Sequence, residues 1–203
     1  METEVPFPRF LSRGRCFVYL FPCRERDVQK IGYARDPLVR LRELHRRYFR
    51  FFDLERGVLV ETGTVREARA LERELHARFA SERVPAPLEA RELAAGEHEW
   101  FCGVEPAARV AMRAHALEHG MRFEPLADWL RSRIGDTRAA LWQWSERALE
   151  AIEYERHNVP AELGEGRAER ALSDALALCE ALGLEADSLV PARVLAHYRS
   201  RPG

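Results

Sequence analysis

Two β-prone runs with a helix-start signal directly behind the second constrain this chain more than any other feature. Cys16–Phe21 and Val28–Tyr33 are separated by the charged turn Pro22–Asp27, so the spacing predicts a β-hairpin. The second run passes from Lys30-Ile31-Gly32 straight into Arg35-Asp36-Pro37. Asp36 is a good N-cap, and Pro37 suits the first helical position, where its missing N–H costs nothing. Gly32 reads as a turn where a side chain would crowd the backbone. The helix is expected from Asp36 to about Tyr48, with Leu38, Leu41, Leu44 and Tyr48 as its buried stripe. Arg40, Glu43 and Arg47 fall on a different side.

The third strand is expected over 53–61, centred on Gly57-Val58-Leu59-Val60. Thr64 and Glu67 then form a capping box that opens a second helix. Ala68, Leu71, Leu75 and Phe79 make its core stripe, while Glu72 and His76 share another face at i,i+4 spacing. A loop is expected over 83–96 and a short strand or edge segment over 97–101. Beyond it the pattern is helical: 106–120 ending at a C′ glycine, then 125–134, 137–156, 166–182 and 191–199, with a linker at 157–166. The expected class is α+β, a small three-stranded antiparallel sheet flanked by helices and followed by an all-α C-terminal region. The expected domains are a lead-in (1–13), a sheet domain (14–105) and a helical domain (106–203) with Trp129, Trp142 and Trp144 in its core.

Charge is distributed unevenly. The net charge of −1 argues against a chain that coats nucleic acid throughout. From Arg13 to Arg50, however, eleven Arg and Lys stand against four Asp and Glu, so an anionic partner is expected to dock there. Lys30 is the sole lysine among 32 basic side chains; a compact, titratable ammonium in place of a guanidinium suggests a specific need, though chance explains it too. Four cysteines without a C-x-x-C pair point to neither a zinc site nor a disulfide framework. With no signal peptide and no membrane-length apolar run, a cytoplasmic protein with reduced thiols is expected, and the Arg/Ala/Leu/Glu bias hints at a GC-rich bacterial or phage genome.

Four separated pieces occur in a fixed order: Phe17-Val18-Tyr19-Leu20, Lys30-Ile31-Gly32, Asp36-Pro37 with Arg40-Leu41, and Ala70-Leu71-Glu72 with Leu75-His76 and Phe79, closed by Glu99-Trp100-Phe101. In this order they resemble the GIY-YIG nuclease superfamily over residues 14–105, more narrowly its phage and bacterial K-I-G branch (the meiotically-up-regulated-gene type). The resemblance implies a DNA endonuclease dependent on Mg²⁺ (or Mn²⁺), with RNA an open alternative as substrate. Tyr19 would be the general base, Arg40 would grip phosphate oxygens in a forked geometry, and Glu72 would ligate the metal. Lys30 stands where the family has its second tyrosine; Lys30 and Arg40 are the two cations that would favour the Tyr19 phenolate. His76 would touch the scissile phosphate or merely satisfy a core hydrogen bond. Arg35, Arg42, Arg46 and Arg47 are the candidate nucleic-acid contacts.

Each residue also has a plainer reading. Tyr19 suits a packed strand, Arg40 a solvated helix face, and Glu72 a surface pair with His76. His115 and His119 have metal-pair spacing but no third ligand in view. The rival function is a non-catalytic nucleic-acid-binding or adaptor protein on the same fold. A third reading gives the function to the helical half, through a partner protein or self-association.

Overall fold

The computed structural model describes residues 14–90, 99–158 and 166–200. The expected lead-in (1–13), the parts of the 83–96 loop and the 97–101 segment that fall within 91–98, and the heart of the linker (159–165) lie outside them. Within the described residues, β1 (Cys16–Pro22) and β2 (Val28–Ala34) form the expected antiparallel hairpin, with Tyr19 opposite Gly32 and Phe21 opposite Lys30. β3 (Val58–Thr62) pairs antiparallel with the other edge of β1.

The sheet has five strands, not the expected three. β4 (Trp100–Cys102) adds to β2 and β5 (Arg122–Pro125) adds to β3, giving the all-antiparallel order β4-β2-β1-β3-β5. With β1 central, β2 and β3 each leave an outer row of N–H and C=O groups that need partners. Strands of three and four residues satisfy them but are too short for alternation to be legible in the sequence. β5 sits in the gap between two expected helices, so the stretch after 106 is not all-α.

Local signals place the helices. The Asp36 carboxylate accepts from the N–H groups of Leu38 (2.9 Å) and Val39 (3.1 Å) at the start of α1 (Pro37–Leu44). α1 stops at His45, whose backbone is extended, and Tyr48 belongs to a separate turn, α2 (Tyr48–Phe51). Between α2 and β3, Asp53 caps a turn, closed by the Gly57 N–H on the Asp53 carbonyl at 3.0 Å; β3 therefore begins later than expected. α3 (Val65–Arg78) opens on the Thr64–Glu67 capping box, and α4 (Glu105–Glu118) is followed by Gly120 at φ +62.

Alternation along the strands sorts the residues onto two faces. Cys16, Val18, Leu20, Ile31, Val58 and Val60 pack against Ala68, Leu71 and Leu75 of α3 and Ala108 and Met112 of α4. The other face carries Phe17, Tyr19, Phe21, Lys30 and Gly32. Phe21 contacts Phe52, Phe52 stacks on Trp100, and Phe17 meets Trp129 edge-on at 5.4 Å.

The chain divides into two compact units, one ending at Leu130 and the other beginning at Arg131. The sheet unit thus includes α4 and β5, which the expected boundary at 105 would have cut off, and Trp129 lies in its core. The helical unit contains the end of α5 (Leu126–Asp136), then α6 (Arg138–Asn158), α7 (Arg167–Ala181) and α8 (Ala192–Arg199). Its core includes Leu141, Trp144, Leu149, Leu172, Leu176 and Val194, while Trp142 is 38% exposed. The buried Glu169 carboxylate pairs with His197 at 3.0 Å. No helix among the described residues is long and apolar enough to cross a membrane.

Candidate active site

The candidate site is built around the close approach of Tyr19 to Gly32. The two residues are direct partners across β1 and β2, and the phenol lies over the glycine. A Cβ at position 32 would stand 2.5 Å from the phenol oxygen. Gly32 is therefore needed inside the strand, for space, rather than at a turn as the sequence suggested. Phe21 stacks on the Tyr19 ring at 4.0 Å, nearly parallel, which fixes the phenol along the strand. From α1, the Arg40 Nε–H donates to the Tyr19 oxygen at 3.2 Å, and its Nη1 pairs with Glu43 at 3.1 Å. Burial pushes the phenol well above its ordinary range, although the Arg40 charge and hydrogen bond pull it down.

Lys30 lies two residues back along β2 on the same face and is fully buried. Its Nζ donates to the Glu99 carboxylate at 2.6 Å and sits 5.0 Å from the centre of the Trp100 ring. Burial pulls the ammonium down to about 8, against the opposing pull of Glu99. Lys30 and Arg40 were both expected to act on the Tyr19 hydroxyl. Arg40 donates to that oxygen, and the Lys30 ammonium forms an ion pair with Glu99.

Glu72 and His76 arrive from α3, on the other side of the sheet. Glu72 acts on the first group through its charge, which reaches both Tyr19 and Lys30. The His76 Nε2 lies 3.0 Å from the Ile31 carbonyl oxygen, which makes it the protonated nitrogen of a neutral ring, and burial lowers the imidazole below its ordinary value. The plainer reading of His76, a satisfied hydrogen bond, describes this contact. Burial and then the charge of Glu99 push the Glu72 carboxyl up to about 7; Lys30, Arg69 and Arg40 pull it the other way. One turn before Glu72, the Arg69 Nε–H donates to the Tyr33 oxygen at 2.8 Å.

Tyr19, Lys30, Arg40, Glu72 and His76 thus come from four elements into one electrostatically coupled group. Reading the sequence for chemistry missed two members. Glu99 lay in the final motif but was given no role, and Arg69 lies three residues before Glu72, a spacing that marks a shared helix face. The four arginines assigned to nucleic acid divide. Arg35 is exposed, and its charge acts on the Cys16 thiol together with that of Glu72. Half-buried Arg42 and exposed Arg46 and Arg47 lie towards the far end of α1, where Arg47, Arg26, Arg50, His45 and Phe51 line a cleft of about 230 Å³.

Among the described residues, no three or more His, Cys, Asp or Glu side chains gather as an ion cage. The His115 and His119 rings stack at 4.2 Å, with His115 facing Glu74. Glu72 would hold a Mg²⁺ or Mn²⁺ ion only as a single protein carboxylate, with water at the other positions. The Glu72 carboxyl is raised chiefly by burial, so its proton would have to leave before an ion is held there.

Comparison with protein-family models matches residues 16–118 to the T5orf172 domain, just over half of the 203 residues. The chain belongs to the T5orf172 domain family. The matched segment begins at the first residue of β1 and ends at the last residue of α4, so it contains every member of the pocket. β5 lies beyond the T5orf172 match although it completes the sheet. Neither the search of curated proteins nor the search of solved structures returned a match.

Proposed function

We propose that this T5orf172 domain is a phosphodiesterase of GIY-YIG type, a Mg²⁺-dependent (or Mn²⁺-dependent) endonuclease acting on DNA in the cytoplasm. The observation that carries the reading is the Arg40–Tyr19 hydrogen bond together with the charge interactions that join Arg40, Lys30 and Glu72 from separate elements. Hydrolysing a phosphodiester requires removal of a proton from water, neutralisation of charge on the phosphoryl oxygens and stabilisation of the leaving oxygen. Arg40 is half-buried with its guanidinium on the Tyr19 oxygen, so it suits both the phosphate and the phenol. The divalent ion, when bound, would supply Lewis acidity at the phosphate. Glu72 would hold it, the K-I-G lysine would contribute fixed positive charge beneath the pocket, and His76 would brace Ile31. Exposed Arg35 would meet the nucleic-acid backbone.

One observation favours a second reading. Tyr19 is 1% exposed, and its phenol holds its proton more tightly than a free tyrosine does. A general base requires that Arg40 shift towards substrate and open the hydroxyl; a non-catalytic nucleic-acid-binding protein requires no such movement. Incubation of supercoiled plasmid with the full chain in Mg²⁺ and in Mn²⁺, against Tyr19→Phe and Glu72→Gln, separates the two. The nuclease reading expects metal-dependent nicking lost in both variants. Binding without nicking in the wild type, under either ion, would leave the adaptor.

A further inference from the structure

We propose that Glu99 is a positioning residue that holds the sole lysine ammonium on Trp100 beneath the pocket and keeps it charged there. A buried lysine retains its charge only where an acceptor replaces lost water. Here the Glu99 carboxylate accepts from the ammonium at 2.6 Å, and the Trp100 ring lies 5.0 Å from it. Glu99 suits the task because its backbone is tied into the sheet. Its carbonyl accepts from the Ile31 N–H at 3.1 Å, next to Lys30, and the following residue pairs directly with Lys30 across β2 and β4. The carboxylate is 32% exposed, so water shares its charge while the lysine stays dry.

Arg40 from α1 and Glu72 from α3 also act on the ammonium, with Glu72 favouring the charge and Arg40 opposing it. On the phosphodiesterase reading, a fixed cation beneath the pocket offsets negative charge as substrate arrives. Glu99 then acts through Lys30 rather than on the substrate.

Because Lys30 is the only lysine, one resonance reports it. Lysine-labelled protein, ¹³C at Cε and ¹⁵N at Nζ, gives a single side-chain signal whose pH midpoint is read directly. Glu99→Gln keeps the shape and removes the charge; its Lys30 midpoint should fall by at least about one pH unit from the wild-type value. A one-unit fall from a midpoint near 8 reduces the charged fraction at pH 8 from a half to about a tenth, so plasmid cleavage at that pH should drop about fivefold. The alkaline limb of the cleavage profile should move by the same amount. Should Glu99→Gln not fold, Glu99→Asp carries the test, since a shorter carboxylate should give a smaller shift in the same direction.

The result is overturned if the Lys30 midpoint stays within about 0.3 units of wild type when Glu99 is neutralised. It is also overturned if that midpoint moves while the cleavage limb does not, because the lysine charge then has no part in the pocket. Absence of cleavage in the wild type removes the phosphodiesterase reading instead, and the Lys30 midpoint alone then decides whether Glu99 holds the ammonium.

Discussion

The two faces of the sheet use alternate residues of the same strands for opposite purposes. On one, Cys16, Val18 and Leu20 of β1 meet the apolar stripes of α3 and α4 without a charge among them. On the other, Phe17, Tyr19 and Phe21 share a layer with Lys30, and β2 gives up the side chain at position 32 to make room for a phenol. The first face gains stability by excluding water from apolar surface. The second excludes water from polar groups, which costs free energy in every group whose charge is disfavoured there. Its contents are therefore poorly explained by stability and well explained by use.

The largest expected effect tests that division at the pocket. Glu72→Gln should lower metal-dependent cleavage about a thousandfold, the several kcal/mol of charge stabilisation that a bound divalent ion supplies. It should not lower the melting temperature, which thermal denaturation will show. Ionisation of Glu72 costs stability in the folded protein: the stability associated with this group is full below pH 4.5 and is lost as pH rises through about 7. The glutamine variant should therefore melt above wild type at pH 8 and level with it at pH 4.

Leu20→Ala makes the opposite demand on the apolar face. Removal of a fully buried leucine from the α3 side should cost about 2–5 kcal/mol in chemical denaturation. Lys30→Met is the sharper contrast. The folded lysine midpoint lies below the unfolded one, so its charge lowers stability increasingly as pH falls from 10.5 towards about 8, with the full cost present below that. Methionine removes that cost, leaving Glu99 to water. The variant should be as stable as wild type or about 1–2 kcal/mol more stable at pH 7, yet cleave about tenfold more slowly. A large loss of stability would place Lys30 with the structural face.

Metal binding gives a smaller effect. Below pH 7 the Glu72 proton must leave before the ion binds, so calorimetric Mg²⁺ affinity should fall up to tenfold per pH unit between 6 and 5. The smallest effect concerns the exposed arginines. Arg46→Ala and Arg47→Ala should each weaken DNA binding uniformly and reduce the slope of log affinity against log salt by about one. An unchanged slope would confine the docking surface to the neighbourhood of Arg35.

Much was legible in the sequence because it depends on neighbours along the chain. Periodicity sets the stripes of α1 and α3, a carboxylate two residues ahead of an N–H makes the cap at Asp36, and Thr64 and Glu67 satisfy each other within one turn. The hairpin belongs to the same class, and so does the presence of Tyr19, Lys30, Arg40 and Glu72 in ordered motifs. β4 and β5 were not legible as parts of this sheet. Their few residues have weak preference of their own and become strands because β2 and β3 offer unpaired edges. The domain boundary moved for the same reason, since β5 ties residues after 120 to β3.

Sequence by itself therefore determined the hairpin, the capped helices, the arginine-rich first quarter and which side chains could carry chemistry. Tertiary structure alone decided how those side chains are paired. Arg40 donates to the phenol; Lys30 answers to a carboxylate 69 residues away; and Gly32 is a glycine because of a ring on the neighbouring strand. The physical reason is one of range. Caps and periodicity act over a turn of chain, whereas desolvation, charge pairing and steric exclusion act through space and depend on which strands the sheet brings together.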